Sequence, residues 1–235
     1  MKSDNFDAFI SFSMTDVNGQ HSKSYFEAKR ISRVMNELLG IKTYFCDKEL
    51  SQREDKDFQK ELMNRVANCE LFVLILLDYA DNSKPYFKSE REKFVEVHPD
   101  GNFIVLGTTD VIKRINNLDV IKNLTTNPDF FDLYDIASYQ RFLNLVNNLA
   151  HKAGQEKIVD NIKVCKNCHK VFHDGNELNS DCVFHPGKLV YSKSHLTEPQ
   201  FSCCNQKYRV ENENEVVEIS PGCCYLEKHD CESFD

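Results

Sequence analysis

Residues 69–90 read CELFVLILLDYADNSKPYFKSE, and the way this stretch divides decides the fold. Residues 71–77 are an unbroken apolar run, too short to cross a bilayer and closed by a polar residue at each end. Such a run fits a strand buried on both faces, as at the centre of a parallel sheet. The polar turn Asp81-Asn82-Ser83 follows, with Ser83 placed as an N-cap. Pro85 then fits the first turn of a helix, where its missing N–H would have no partner. Tyr86 and Glu90 are four residues apart, so they share one face of that helix just beyond the carboxyl end of the strand. Open α/β sheets bind their ligands at that edge. A carboxylate and an aromatic ring held together there can act on a flat cationic heterocycle. The plainer alternative packs Tyr86 on the sheet and leaves Glu90 a solvated helix residue.

Outward from this stretch the chain alternates strand and helix. Residues 6–12, FDAFISF, read as a strand followed by the polar loop SMTDVNGQHS. Ser24 and Glu27 have the spacing of a capping box ahead of Ile31, Val34, Met35, Leu38 and Leu39, and Gly40 closes that helix. Lys29, Arg30 and Arg33 read as solvated charges on its outer face. Residues 41–45 are a second strand, and the charged loop DKELSQRED leads into a helix with Phe58, Leu62 and Val66 on one side. Beyond the Tyr86 helix come NFIVLG at 102–107 and a short strand at 130–133. Ser138 is placed to cap a last helix striped by Tyr139, Phe142, Val146, Leu149 and Ala150. This alternation predicts an α/β domain, a parallel five-stranded sheet with helices on both faces joined by right-handed crossovers.

The composition, 41% hydrophobic and 28% charged over 235 residues, is that of one large or two modest globular domains. The net charge of -8 divides evenly: residues 1–150 carry 19 basic and 23 acidic side chains, residues 151–235 carry 10 and 14. Neither half has the charge of an electrostatic nucleic-acid binder. The opening MKSDNFDAF has no signal-peptide core and no apolar run reaches transmembrane length, so the expectation is a cytoplasmic protein with no membrane partner. Thiols stay reduced there, and clustered cysteines bind metal more often than they form disulfides. Of the ten cysteines, only Cys46 and Cys69 fall in the first half. That shift places a second domain after about residue 160, with residues 1–152 as the first domain, 153–163 as a linker and 164–235 as the second.

The second domain carries its own constellation. Cys165-x2-Cys168, Cys182-x2-His185, the pair Cys203-Cys204, Cys223 and His229 supply enough soft or borderline ligands for two tetrahedral zinc sites. Cys224 is open as an alternative to Cys223. Few aliphatic residues stand between these ligands, so a small irregular/β module here needs its structural metal to fold.

Three segments of the first domain resemble the signature segments of a Toll/interleukin-1 receptor (TIR) domain: FDAFISFS at 6–13, IKTYFCDKEL at 41–50 and ANCELFVLILL at 67–77. The resemblance spans residues 4–152 and implies a flavodoxin-like fold. The chain has no Trp, so the family's late Phe-Trp box is absent. Some TIR domains are adaptors that only self-associate, while others cleave NAD between nicotinamide and ribose. In the enzymatic branch the catalytic Glu follows the third strand, four residues beyond an aromatic that packs on the nicotinamide; Glu90 and Tyr86 match. Glu92 is the rival carboxylate, but it projects from another side of the helix. Ser11 and Ser13 follow the first strand at the same sheet edge, placed to bind diphosphate or ribose, with plain turn-forming serines as the alternative. Asp47 and Glu49 resemble the family's mobile segment; Asp47 is a candidate substrate contact, though charges there more often mediate self-association or gate the site. NAD is then the substrate, with nicotinamide and either ADP-ribose or a cyclised form as products.

The segments CKNCHKVF, DCVFHPGKLVYS, FSCC and SPGCCYLEKH resemble a CHORD module, a cysteine- and histidine-rich zinc domain, over residues 164–230. That resemblance implies about two structural zinc ions and protein partners in the heat-shock chaperone machinery. The combined expectation is a cytoplasmic NAD hydrolase that self-associates through its TIR domain in immune or stress signalling. The alternative is a scaffold without enzymatic activity that assembles partners through both domains.

Overall fold

Leu71–Leu76 forms β3, and all six of its side chains are fully buried, as an apolar run without alternation requires of a central strand. In the computed structural model the described residues are 7–14, 22–45, 56–77, 85–115, 129–153, 162–165, 171–173, 182–184, 189–190, 200–201 and 224–226. The chain divides into two units, Met1–Val159 and Asp160–Asp235.

Unit 1 runs β1 (Asp7–Phe12), α1 (Lys23–Glu37), β2 (Lys42–Phe45), α2 (Lys56–Asn68), β3, α3 (Pro85–Val97), β4 (Asn102–Gly107), α4 (Thr109–Ile115), β5 (Asp129–Asp132) and α5 (Ile136–Lys152). All four strand pairings are parallel and the order is β2-β1-β3-β4-β5, the flavodoxin-like arrangement of an α/β sheet. Register is pinned by aromatic residues. Tyr44, Phe9, Phe72 and Phe103 come from four successive strands and lie opposite one another in the ladder. Their neighbouring ring centroids are 5.4, 5.6 and 5.2 Å apart. Each such pair adds about 0.5–1.5 kcal/mol beyond the area it buries, and a slip of one residue would turn every ring to the opposite face. Leu62 and Val66 of α2, with Phe87 and Phe94 of α3, close over this aromatic row.

Four local expectations need correction. The N-cap of α1 is Ser22, not Ser24: Ser22 has extended backbone angles and its Oγ accepts from Tyr25 N at 3.1 Å. Ser24 is buried within the first turn, and Glu27, instead of closing a capping box, pairs with Arg30. Asp135, not Ser138, caps α5, because its carboxylate accepts from Ser138 N at 2.6 Å and is the stronger acceptor. The Ser138 hydroxyl instead accepts from Asp132 N at 2.8 Å. Arg30 is no solvated charge; it lies 4.7 Å over the Tyr139 ring and 2.8 Å from Glu27, tying α1 to α5. The C-cap of α1 is Leu38, whose N–H donates to the Val34 carbonyl; Gly40, two residues further on, has a positive φ of 62°, a conformation that glycine adopts without strain. The short α4 was not anticipated.

In unit 2 the described strands are β6 (Ile162–Val164), β7 (Val171–His173), β8 (Cys182–Phe184), β9 (Leu189–Val190), β10 (Gln200–Phe201) and β11 (Cys224–Leu226). They pair antiparallel as β6 with β7, β8 with β11 and β9 with β10. No described helix in either unit is long and apolar enough to cross a membrane.

Candidate functional site

Strand order places the site. The chain adds β2 on one side of β1 and then returns to add β3 on the other, so the topological switch point, where sheets of this kind have their binding crevice, lies at the carboxyl ends of β1 and β3. Two elements bring polar side chains there. On β1, side chains alternate, so Ser11 projects from the same face as Phe9, toward α2 and α3. Ser11 is 2% exposed and lies opposite Leu74 in the ladder. On α3, Phe87, Glu90, Arg91 and Phe94 fall at i, i+3, i+4 and i+7, and all four are buried. Glu90 therefore stands inside the apolar stripe of its helix, bracketed by the two phenylalanines that seat α3 on the sheet.

The two meet across the crevice: Ser11 Oγ donates to Glu90 Oε2 at 2.5 Å. Among the described residues, Oε1 of Glu90 has no hydrogen-bond partner. Glu90 and Arg91 are the only charged residue types buried among those described, at 9% and 3% exposure. Burial pushes the Glu90 carboxyl up to about 7, against the opposing effects of the Ser11 hydrogen bond and the Arg91 charge. Burial pulls Arg91 below the usual guanidinium range, opposed by Glu92 and Glu90. Such a carboxyl changes charge near neutrality, where an exposed one would stay ionised.

Glu92, the rival carboxylate, is exposed and lies 3.8 Å from Lys88, so the choice of Glu90 over Glu92 agrees with the structure. The reading of Glu90 as a solvated helix residue does not. Its burial follows from the spacing with Phe87 and Phe94, a signal present in the sequence beside the Tyr86 pairing. Arg91 shares that signal and was overlooked. Tyr86 falls in the first turn of α3, one turn before Glu90. Ser13, just past β1, is 2% exposed, and its carbonyl accepts a hydrogen bond from the Ser22 hydroxyl at the start of α1. Asp47 and Ser83 lie outside the described residues.

In unit 2, Cys165 and Cys182 are buried with no exposed surface, and their sulfurs are 3.6 Å apart. A disulfide would need about 2.05 Å. Two thiolates on one tetrahedral zinc, with Zn–S near 2.3 Å, stand about 3.8 Å apart. The pair thus has the spacing of one edge of such a site, and it joins the two x2 segments that the ligand pattern singles out. Cys224 lies in β11, opposite Phe184. Cys168, His185, Cys203, Cys204, Cys223 and His229 lie outside the described residues, and no group of three potential ligands occurs among the described ones.

No protein-family model and no curated protein matches the chain.

Proposed function

We propose that unit 1 is a TIR-like NAD glycohydrolase with Glu90 as its catalytic carboxylate. The observation that carries this reading is a buried carboxyl at the β1/β3 crevice, held by Ser11 at 2.5 Å and titrating near 7. Nicotinamide leaves NAD as a neutral ring, because the pyridinium nitrogen already carries the positive charge. No general acid is needed. The ribose left behind is oxocarbenium-like, and a fixed carboxylate in a poorly solvated site stabilises that charge strongly. Glu90 must be ionised to do so. A bound pyridinium cation favours that state and lowers the carboxyl's pKa on substrate binding. Tyr86, a turn earlier, is assigned to stacking on the nicotinamide, Ser13 and Asp47 to the rest of the dinucleotide, and Ser11 to the crevice wall. Water attack yields ADP-ribose; attack from within the dinucleotide yields a cyclised form.

Unit 2 is proposed as a CHORD-like module holding about two structural zinc ions, with Cys165 and Cys182 on one of them. When bound, the metal crosslinks segments that have little apolar core of their own. The module is assigned to protein partners of the chaperone machinery and unit 1 to self-association, in a cytoplasmic immune or stress pathway. One observation also favours a scaffold without activity: the Ser11–Glu90 bond latches α3 to β1, and a protonated Glu90 would do so with no chemistry to follow. Incubating the purified protein with NAD and following nicotinamide release separates the two. Release that is lost in Glu90→Gln supports the enzyme; none from the natural chain supports the scaffold.

A further inference from the structure

Ser11 sits where a substrate ligand is expected, yet its geometry points to another role. β1 is hydrogen-bonded to β2 on one side and β3 on the other, so the backbone beneath Ser11 is fixed. The side chain is buried, and its oxygen lies 2.5 Å from Glu90 Oε2. A serine hydroxyl has a single hydrogen to donate. Committed to Glu90, it has none for a diphosphate, which can only accept.

We propose that Ser11 is a positioning residue: by donating to Oε2 it fixes the orientation of the Glu90 carboxylate and leaves Oε1 for the reacting sugar. This rests on the NAD-cleaving reading of the site. The contact to Oε2 restrains rotation about the last bond of the Glu90 side chain, while Phe87 and Phe94 hold its helix against the sheet. A hydrogen bond to the charged form also favours that form. Among the described residues, the groups that act on Glu90 are Ser11 from β1 and Arg91 from its own helix; Lys60, Glu61 and Arg65 of α2, which packs along α3, are not among them. Removing the Ser11 hydroxyl therefore leaves burial opposed by Arg91 alone.

The test has two arms, both on the full chain. In the first, the Glu90 side-chain carboxyl is titrated by NMR, identified by its loss in Glu90→Gln, in the natural protein, Ser11→Ala and Ser11→Thr. In the second, kcat and KM for nicotinamide release are measured across pH. Ser11→Ala is expected to raise the titration midpoint by about one pH unit, the equivalent of one hydrogen bond to a charged group. That shift makes kcat/KM fall about tenfold further near pH 6 than near pH 9, with KM at pH 9 within about twofold of natural. Ser11→Thr, which keeps the hydroxyl, restores both the midpoint and the profile. Ser11→Cys, similar in volume but a weak donor, is the second variant should the alanine protein not fold, and the same shift is expected of it. An unchanged midpoint in an active enzyme overturns the assignment, as does a KM raised at pH 9 with unchanged kcat, which would make Ser11 a substrate ligand. A natural chain that releases no nicotinamide at any pH sinks the NAD reading and the catalytic half of this inference with it, whatever the midpoint.

Discussion

Glu90 is the carboxylate whose surroundings demand an explanation, because its helix spends a position of the buried stripe on it. The cost shows in its titration. The carboxyl moves from the ordinary 4.5 to about 7 in the folded chain, so the folded state holds the proton more tightly than the unfolded one. The stability linked to that proton is fully present below about pH 4.5 and is lost as pH rises through about 7. Over that window the loss is about 3 kcal/mol, at 1.36 kcal/mol per pKa unit. Urea midpoints measured from acid to mildly alkaline pH should therefore fall in the natural protein relative to Glu90→Gln. Parallel curves would show that Glu90 titrates where an exposed carboxyl does. In catalysis the sign reverses: the ionised form is needed, so kcat/KM for nicotinamide release should rise with pH through about 7. Preferring Glu90 to Glu92 requires only the helical period, and the burial of Glu90 was legible in its spacing with Phe87 and Phe94. The stacking of Arg30 on Tyr139 was not, since the two come from the first and last helices of unit 1 and meet only in the tertiary fold.

At the scale of elements, the strands were the easiest to read. β3 and β4 stand in apolar runs that no helix of their length could use, and their bounds differ from the sequence expectation by one residue or none. Helix starts were harder, because a serine two residues either way satisfies the same pattern. Ser22 won over Ser24 because its hydroxyl serves two partners, accepting from Tyr25 N and donating to the Ser13 carbonyl. Ser22→Ala should cost about 1 kcal/mol for the lost cap. Thermal denaturation would show it, and an unchanged melting temperature would mean that another group caps α1. Gly107, at the carboxyl end of β4, has a stricter requirement, since a Cβ there would stand 2.7 Å from the Leu76 carbonyl oxygen. Gly107→Ala should destabilise by about 1–3 kcal/mol through overpacking. The same assay reads it, and a neutral result would mean that the two strands separate freely at that point. The order of the strands was implied only by the family resemblance, because pairing between distant segments leaves no local mark.

At the scale of the molecule, the division falls between Val159 and Asp160, inside the stretch 153–163 expected as a linker. Unit 1 has its own aromatic core, so a chain ending at Val159 should fold and cleave NAD. Insolubility of that chain would mean that unit 2 supports the sheet. Unit 2 is expected to yield about two zinc per chain and to lose its structure on chelation while the helical signal of unit 1 persists. Finding no zinc would return the 3.6 Å contact of Cys165 and Cys182 to a meeting of two buried thiols. Everything proposed for unit 1, however, turns on whether its buried carboxyl does chemistry. The most direct measurement is nicotinamide release from NAD by the full-length natural chain and by Glu90→Gln, compared at about pH 8, where the carboxyl is ionised, with both proteins shown folded by circular dichroism. The account predicts steady release from the natural protein and a fall of roughly 10²-fold or more in the variant, the scale set by losing one transition-state charge contact. Equal rates in the two proteins, or no release from either, would contradict it.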